Sequence, residues 1–436
     1  MTMSNLFARI VAMIGVVLVF IRRRSESANL PAFGQEPAIP EAKPQGIPTL
    51  KLPSARGWDR GQTPEVAAGL AVNAFAEKLD HPRWIHTLPS GDVLVAEAQP
   101  EGGAAKSLFD YAMQTTLERA GARGKSANRL SLWRDEDGDG VAEIREVFLE
   151  GQNLPFGMAE VNGTFYVGNT DGIVAFAYEE GARRIKGPGK KLVDFKPGGH
   201  WTRSLLVSSD RQKLYAGVGS LSNIADDGME VEEGRAAIYE LDLETGESRI
   251  FASGLRNAVG MAFEPTTGTL WTVVNERDGL GDEVPPDYLT SVQEGGFYGW
   301  PYCYWGQTVD DRVPQDPDMV AKAIRPDYAL GGHTASLGLC WHPAGTLPRF
   351  GDGMIIGQHG SWNRSTLSGY RVIFVPFEDG QPSGRPRDIL WGFLAPDETM
   401  SYGRPVGVAI GPDRSLLVAD DVGDVIWRVT GTSDTA

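Results

Sequence analysis

The feature that most constrains this chain is a repeated unit. Six times an apolar strand runs into a polar or glycine-containing turn and returns as a second strand ending in small residues. The six are WIHTLPSGDVLVAEA from Trp84, FGMAEVNGTFYVGN from Phe156, SLLVSSDRQKLYAGVGS from Ser204, VGMAFEPTTGTLWTVVNE from Val259, LGLCWHPAGTLPRFGDGMIIGQHGS from Leu337 and VGVAIGPDRSLLVADD from Val406. Period-two alternation bounded by turn residues marks antiparallel hairpins, and a lone hairpin has no partner for its apolar face. Copies spaced widely enough for four strands each can bury those faces by stacking around an axis, as propeller blades do. Several units are followed by a further strand pair, AAIYELDLETGESRIFASGL and YRVIFVPFEDGQPSGRPRDILWGF among them, as the outer half of a blade requires. The last strand, VIWRVTG, has nothing after it to pair with. It is expected to complete its blade with N-terminal strands, closing the ring and removing free sheet edges. The chain therefore reads as all-β, a six-bladed β-propeller over residues 61–436.

Composition supports one large closed unit, because 54 Gly and 28 Pro in 436 residues suit many strands joined by turns. One stretch breaks the pattern. In SLFDYAMQTTLERAGARGKS, residues Leu108, Tyr111, Ala112, Met113 and Leu117 follow helical spacing, which predicts a short helix inserted on the propeller surface. Directly after it, WRDEDGDGVAEIREVF places Asp135, Asp137, Asp139, Gly140 and Glu146 at the spacing D-x-D-x-D-G-x5-E. Calcium needs hard oxygens at alternating loop positions, a glycine for the turn and a distal carboxylate. The flanks look like strands and not like the helices of an EF-hand, so the expectation is a structural calcium site; an acidic hairpin tip is the alternative.

Ahead of the repeats, IVAMIGVVLVFI at residues 10–21 is an apolar run the length of a signal-peptide core, short of the roughly 20 residues of a membrane-spanning helix. Arg22, Arg23 and Arg24 follow it while only Arg9 precedes it, a charge bias that would hold the C-terminal side in the cytoplasm. Against that bias, residues 1–30 are read as a signal or atypical membrane-anchor segment, with the body in the periplasm or anchored facing it; a misassigned start codon is the alternative. Residues 31–60, with six prolines from Pro31 to Pro53, are read as an extended tether.

The formal net charge is −16, and the first 60 residues hold 8 Lys/Arg against 4 Asp/Glu, leaving 33 against 53 in the body. Nucleic acid is not expected as a partner of so acidic a chain. An acidic body suits cations such as calcium, and basic groups that converge within it need a reason. Cys303 and Cys340 read either as a disulfide pair or as two buried thiols.

The stretch KPGGHWTRSLLVSSDRQKLYAGVGS, residues 196–220, sets His200 at the glycine-loosened entrance of a strand pair, on the rim of a sheet. Imidazole titrates nearest neutrality, so a rim histidine at a cavity mouth suits removal of a hydroxyl proton. The alternative is a histidine bonded to a loop carbonyl. In SGLRNAVGMAFEPTTGTLWTVVNERDGLGDE and the following GGFYGWP, Arg256 and Asn257 precede a strand as His200 does, and Arg277 and Asp278 follow one.

Taken together, GGHWTRSL, GLRNAVGMAF, VVNERDGLGDE, GGFYGWP, HGSWNRS and YGRPVGVA resemble the sugar dehydrogenases that use pyrroloquinoline quinone, the L-sorbosone dehydrogenase branch in particular. The resemblance implies a propeller that holds the quinone and a calcium ion at the top of its channel. It implies oxidation of an aldose or a sugar-derived aldehyde, with an electron acceptor of cytochrome or quinone type. His200 matches the general base, Arg256 and Asn257 the pair beside the cofactor, and Arg404 an arginine facing its carboxylates. Guanidinium groups suit a tricarboxylate ligand in an acidic protein.

Several positions depart from the family's soluble glucose dehydrogenases. Arg277 and Asp278 stand where a Gly-Pro pair holds calcium through its carbonyls, so Asp278 is expected to contribute its side chain. Ser220 stands where an acid orients the histidine, which leaves Asp226 and Asp227 as nearby candidates for that role. The family lysine has no counterpart in HGSWNRS, where His359 and Arg364 are the available basic groups. Two other readings remain: a calcium-dependent lactonase built on Asn275, Glu276 and Asp278, and a non-enzymatic binding propeller.

Overall fold

The inner hairpins read from the sequence are the innermost strand pairs of six blades in the computed structural model, which describes residues 33–45, 49–103 and 108–432. The first blade consists of Pro82–Thr87, Val93–Glu97, Arg129–Arg134 and Ile144–Leu149, and the second of Gly157–Val161, Thr164–Asn169, Gly172–Ala177 and Lys190–Asp194. Leu205–Val207, Lys213–Val218, Ala237–Asp242 and Ser248–Ser253 form the third. The fourth has Ala258–Phe263, Leu270–Val274, Pro286–Ser291 and Tyr328–Gly332, and the fifth Ser336–His342, Gly353–Gln358, Arg371–Glu378 and Arg387–Trp391. In the last blade Pro405–Ile410, Leu416–Asp420 and Val425–Gly431 take their fourth strand from Leu70–Glu77, so the ring closes as expected.

Alternation along the strands builds the core. Leu416 and Val418 pack toward the fifth blade while Leu417 and Ala419 pack toward the first. The same division repeats around the ring, with one apolar cluster between each successive pair of blades. The inner strands converge at the axis, and glycine makes that approach feasible. A Cβ at Gly338 would stand 2.1 Å from the Val406 carbonyl oxygen, and one at Gly260 would stand 2.6 Å from the Leu339 backbone nitrogen.

The inserted helix, α1 (Leu108–Arg119), lies between the second and third strands of the first blade. Pro317–Lys322 forms a shorter helix, α2, started by Asp316, whose side chain accepts from the backbone N–H groups of Asp318 and Met319. No helix among the described residues is long and apolar enough to cross a membrane. The apolar run at residues 10–21 lies outside the described residues. Cys303 and Cys340 are free thiols.

The proline-rich stretch corrects the reading of residues 31–60 as a tether, because its described part is bound to the propeller. Phe33–Gly34 adds a fifth strand to the fourth blade, and Ser54–Ala55 pairs in parallel with Met400–Ser401. Between them, Lys43 N–H donates to Leu280 O, Gln45 N–H to Gly279 O and Lys51 N–H to Trp362 O, at 2.8, 2.9 and 2.9 Å. Proline fixes an extended backbone and removes donors, so the stretch crosses loops as a strap and not as a regular sheet strand. Glu65–Val66 then extends the fifth blade before the ring-closing strand begins.

Candidate active site

In an antiparallel blade the start of the first strand and the end of the second lie at the same end of the channel. Residues just before first strands and just after second strands of different blades are therefore neighbours. Here they surround a cavity of about 490 Å³. His200 precedes the third blade, Arg256 and Asn257 precede the fourth, and Asn275, Glu276 and Asp278 follow its second strand. His333 precedes the fifth blade, His359 follows its second strand, and Arg404 precedes the sixth. Gly219 permits the convergence, since a Cβ there would stand 2.6 Å from His200 Cβ and 2.3 Å from Asn257 Oδ1.

His200 is bonded to a loop carbonyl, as the alternative reading expected. Its Nδ1 lies 2.8 Å from Ser220 O and 3.1 Å from Ser220 Oγ. A carbonyl only accepts, so Nδ1 carries the proton and Nε2 keeps its lone pair for the cavity. Burial, reinforced by the charge of Arg256, pushes the imidazole down to about 3, so it is neutral at physiological pH. Ser220 thus orients the histidine through its own carbonyl and hydroxyl. Asp226 and Asp227 are exposed, and Asp226 accepts from Ile224 N–H, so the expectation that one of them orients His200 is corrected. Arg235, which carried no signal in the sequence, binds this loop by donating to Gly219 O, Gly198 O, His200 O and Ser220 O.

Arg256 lines the cavity with its guanidinium oriented by Asn223 O, Asn223 Oδ1 and Glu276 O, at 3.0, 2.9 and 2.8 Å. Arg404 is held by His359 O and Gly360 O at 3.0 and 2.8 Å. His359 donates from Nε2 to Asp421 at 2.8 Å, which leaves Nδ1 as its lone-pair nitrogen, and burial together with Arg404 pushes it down to about 3. Asp421 also meets Arg83 and His81; burial raises its pKa, but the histidines and Arg83 outweigh burial and hold the carboxyl below the usual range.

The acidic side of the cavity is less satisfied. Asn257 Oδ1 is buried without a hydrogen-bond partner among the described residues. Glu276 is 5% exposed and accepts from Arg277 N–H at 3.2 Å, and burial pushes it up to about 7. Asp278 differs: burial raises its pKa, but the hydrogen bond from His333 and the charge of Arg256 outweigh it and hold the carboxyl down. His333, not singled out in the sequence, has Nε2 2.9 Å from Gly281 O and Nδ1 3.2 Å from Asp278 Oδ1. Burial lowers its pKa, but the hydrogen bond to Asp278 and the charge of that carboxylate outweigh burial and raise it.

Three expected ligands are placed elsewhere. The side chain of Arg277 is 1% exposed, does not line the cavity, and pairs with Asp310 at 3.2 Å. Arg364 also lies off the cavity, donating to Asp282 O, Thr366 O and Glu283. In the acidic hairpin the carboxylates that converge are Asp135, Asp137, Asp139 and Glu143, with ligand atoms within 4.8 Å of one another. Glu146 pairs instead with Arg183. A strand advances about 3.3 Å per residue, so Ile144–Leu149 carries Glu146 away from a loop to which a helix would return it.

A family model described as TrAA12-like matches residues 64–432, from just before the strand that closes the ring to the end of the last blade. This chain belongs to the TrAA12-like family. Among the relatives of this TrAA12-like chain, an uncharacterized protein of Borreliella burgdorferi is 31% identical over 233 residues, 53% of this chain and 60% of that protein. A pyrroloquinoline quinone-dependent sugar dehydrogenase of Hypocrea jecorina is 28% identical over 204 residues, 40% of this chain and 46% of the relative. The matched stretches thus span less than two thirds of these relatives. In fold, the TrAA12-like ring resembles the calcium structure of Trichoderma reesei Carbohydrate-Active Enzymes Family AA12, with a TM-score of 0.69 at 20% identity over 88% of this chain and 98% of that one.

Proposed function

We propose that this protein is a quinoprotein dehydrogenase that oxidises an aldose sugar or a sugar-derived aldehyde of the sorbosone type, with pyrroloquinoline quinone and calcium in the cavity and His200 as general base. The observation that carries the reading is the tautomer of His200, a neutral imidazole that presents Nε2 to a cavity lined by two buried guanidinium groups and a set of oxygen acceptors. The relative of known cofactor and the family's fold support the same class.

The residues present fit the cofactor and the ion. Arg256 and Arg404 offer cationic donors that suit carboxylates, and among the described residues no protein carboxylate pairs with Arg404. Asn257 Oδ1, which has no hydrogen-bond partner among the described residues, and the carboxylates of Glu276 and Asp278 are hard oxygens of the kind a divalent cation takes. When bound, the quinone accepts a hydride equivalent and the cation polarises its carbonyl. The chain does the rest. His200 Nε2 takes the proton of the substrate hydroxyl, and Ser220 holds the ring in the tautomer that can do so. The Asp278–His333 pair fixes an ionised carboxylate beside the site. An external acceptor of cytochrome or quinone type would be needed to take up the two electrons of each turnover.

His200→Gln tests the base. The quinone spectrum should be retained while kcat falls about 10² to 10⁴-fold, the usual worth of a positioned base. Quinone-free protein with full activity, or activity that follows a nicotinamide cofactor, would reject the whole reading. A His200 variant within about threefold of the parent would move the base to His359.

A further inference from the structure

His200 owes its tautomer to one carbonyl, and that carbonyl is itself held in place. Ser220 O takes three donors: His200 Nδ1 at 2.8 Å, the His200 backbone N–H at 3.1 Å and Arg235 Nη2 at 3.1 Å. The Ser220 hydroxyl donates to Ser222 O at 2.7 Å, so it offers Nδ1 only a lone pair. Arg235 is 6% exposed, and each hydrogen bond it makes among the described residues goes to a backbone carbonyl. Its acceptors Lys196 O, Gly198 O and His200 O belong to the segment that carries His200, while Gly219 O and Ser220 O belong to the segment that orients it. A guanidinium buried without a carboxylate is costly, but its rigid fork reaches several acceptors at once, which an ammonium cannot do in the same geometry. Arg203 gives an internal comparison. It is fully buried and donates to Lys196 O, His200 O and Thr202 O, and it does not reach Ser220.

We infer that Arg235 is the positioning residue of the base: by bridging the two segments and fixing the Ser220 carbonyl, it keeps the proton of His200 on Nδ1 and leaves the lone pair on Nε2 for the cavity. The catalytic consequence rests on the proposed oxidation and deepens it; the tautomer itself does not depend on that reading. Without the fork the carbonyl is free to turn, and the ring divides between two tautomers, one of which carries a proton where a base needs a lone pair. Arg203 anchors the same loop without touching the carbonyl that sets the tautomer.

The experiment is nitrogen-15 NMR of the full chain labelled at its histidines, with the His200 signals assigned by their absence in His200→Gln. In the parent at pH 7, without quinone, His200 should show a protonated Nδ1 and an unprotonated Nε2. Arg235→Lys keeps the charge but not the fork, and should give a mixture of the two tautomers. Arg203→Lys should keep the parent tautomer even where its melting temperature falls as far. After loading with quinone and calcium, Arg235→Lys should retain the quinone spectrum, with kcat down about 10²-fold and KM within about threefold. Ser220→Ala removes the hydroxyl and leaves the carbonyl, so the Nδ1-protonated form should persist; that variant decides the matter if Arg235→Lys does not fold. An unchanged tautomer in Arg235→Lys, the same change in Arg203→Lys, or loss of the tautomer in Ser220→Ala overturns the inference. If the tautomers change as expected and the loaded parent oxidises no sugar, the oxidation is wrong and the positioning stands. A mixed tautomer with kcat unchanged removes the role of Arg235 in turnover and overturns the inference as stated.

Discussion

At the residue scale, His200 has a displaced proton equilibrium that bears on stability and, under the proposed mechanism, on turnover. Its pKa in the fold, about 3, lies below the ordinary value of 6.5, so the unfolded chain binds the proton more readily. That contribution to stability is complete above pH 6.5 and is lost as pH falls from 6.5 toward 3. Between pH 6.5 and 5 it amounts to at most about 2 kcal/mol, from about 1.4 kcal/mol per unit. His200→Gln should therefore lose less melting temperature than the parent when pH is lowered from 7 to 5; parallel losses would show that burial does not hold His200 neutral. For the same reason, if His200 is the proposed base, the acid limb of kcat/KM should lie well below 6.5, because the neutral imidazole is then the competent form. Asp421 is a different kind of residue. It joins Arg83, His81 and His359 in a buried cluster, and Asp421→Asn leaves Arg83 without its counter-charge. A loss of about 3–5 kcal/mol in urea unfolding is expected. His200, Arg256 and Asn257 were legible in the sequence because each sits next to a strand boundary that alternation reveals, whereas Arg404 was singled out by the family resemblance alone. Asp421 and His333 were not, since what they do depends on partners far away in the chain.

Elements show where local pattern misleads. The spacing Asp135, Asp137, Asp139, Glu146 is that of a loop followed by a helix, but here the loop is followed by a strand, and Glu143 takes the fourth place. If the hairpin binds calcium, Glu143→Ala should abolish the calcium-dependent rise in melting temperature and Glu146→Ala should leave it intact; the opposite result would restore the sequence reading. Asp137→Ala should behave as Glu143→Ala does and change little in chelator. In the inner strands the constraint is steric. Gly338→Ala sets a methyl against the Val406 carbonyl, and overpacking of this kind costs about 1–3 kcal/mol, measurable as a lower denaturation midpoint. The strap was misread because proline content reports an extended backbone and says nothing about what the backbone lies against.

Across the whole molecule, closure is the decisive interaction. Leu70–Glu77 pairs along its length with Val425–Gly431, joining two ends of the chain separated by most of its sequence. Removing residues 1–77 would expose the edge of Val425–Gly431, and aggregation is expected; removing residues 1–60 keeps the closing strand and should yield a folded ring whose cavity has lost Leu50 and Leu52. Size-exclusion chromatography of the two truncations separates these outcomes. The sequence by itself determined the six hairpins, the need for an N-terminal strand in the last blade, the helical insert and the residues at the strand entrances. All of these follow from alternation, spacing and turn chemistry, which act over a few neighbouring residues. Only the tertiary structure decided that Ser220 orients His200, that Glu143 replaces Glu146, that Arg277 and Arg364 turn away from the cavity, and that the strap and α1 cover it. Each of those depends on where a side chain points once the ring has closed, and that is set by packing between segments that no local pattern relates.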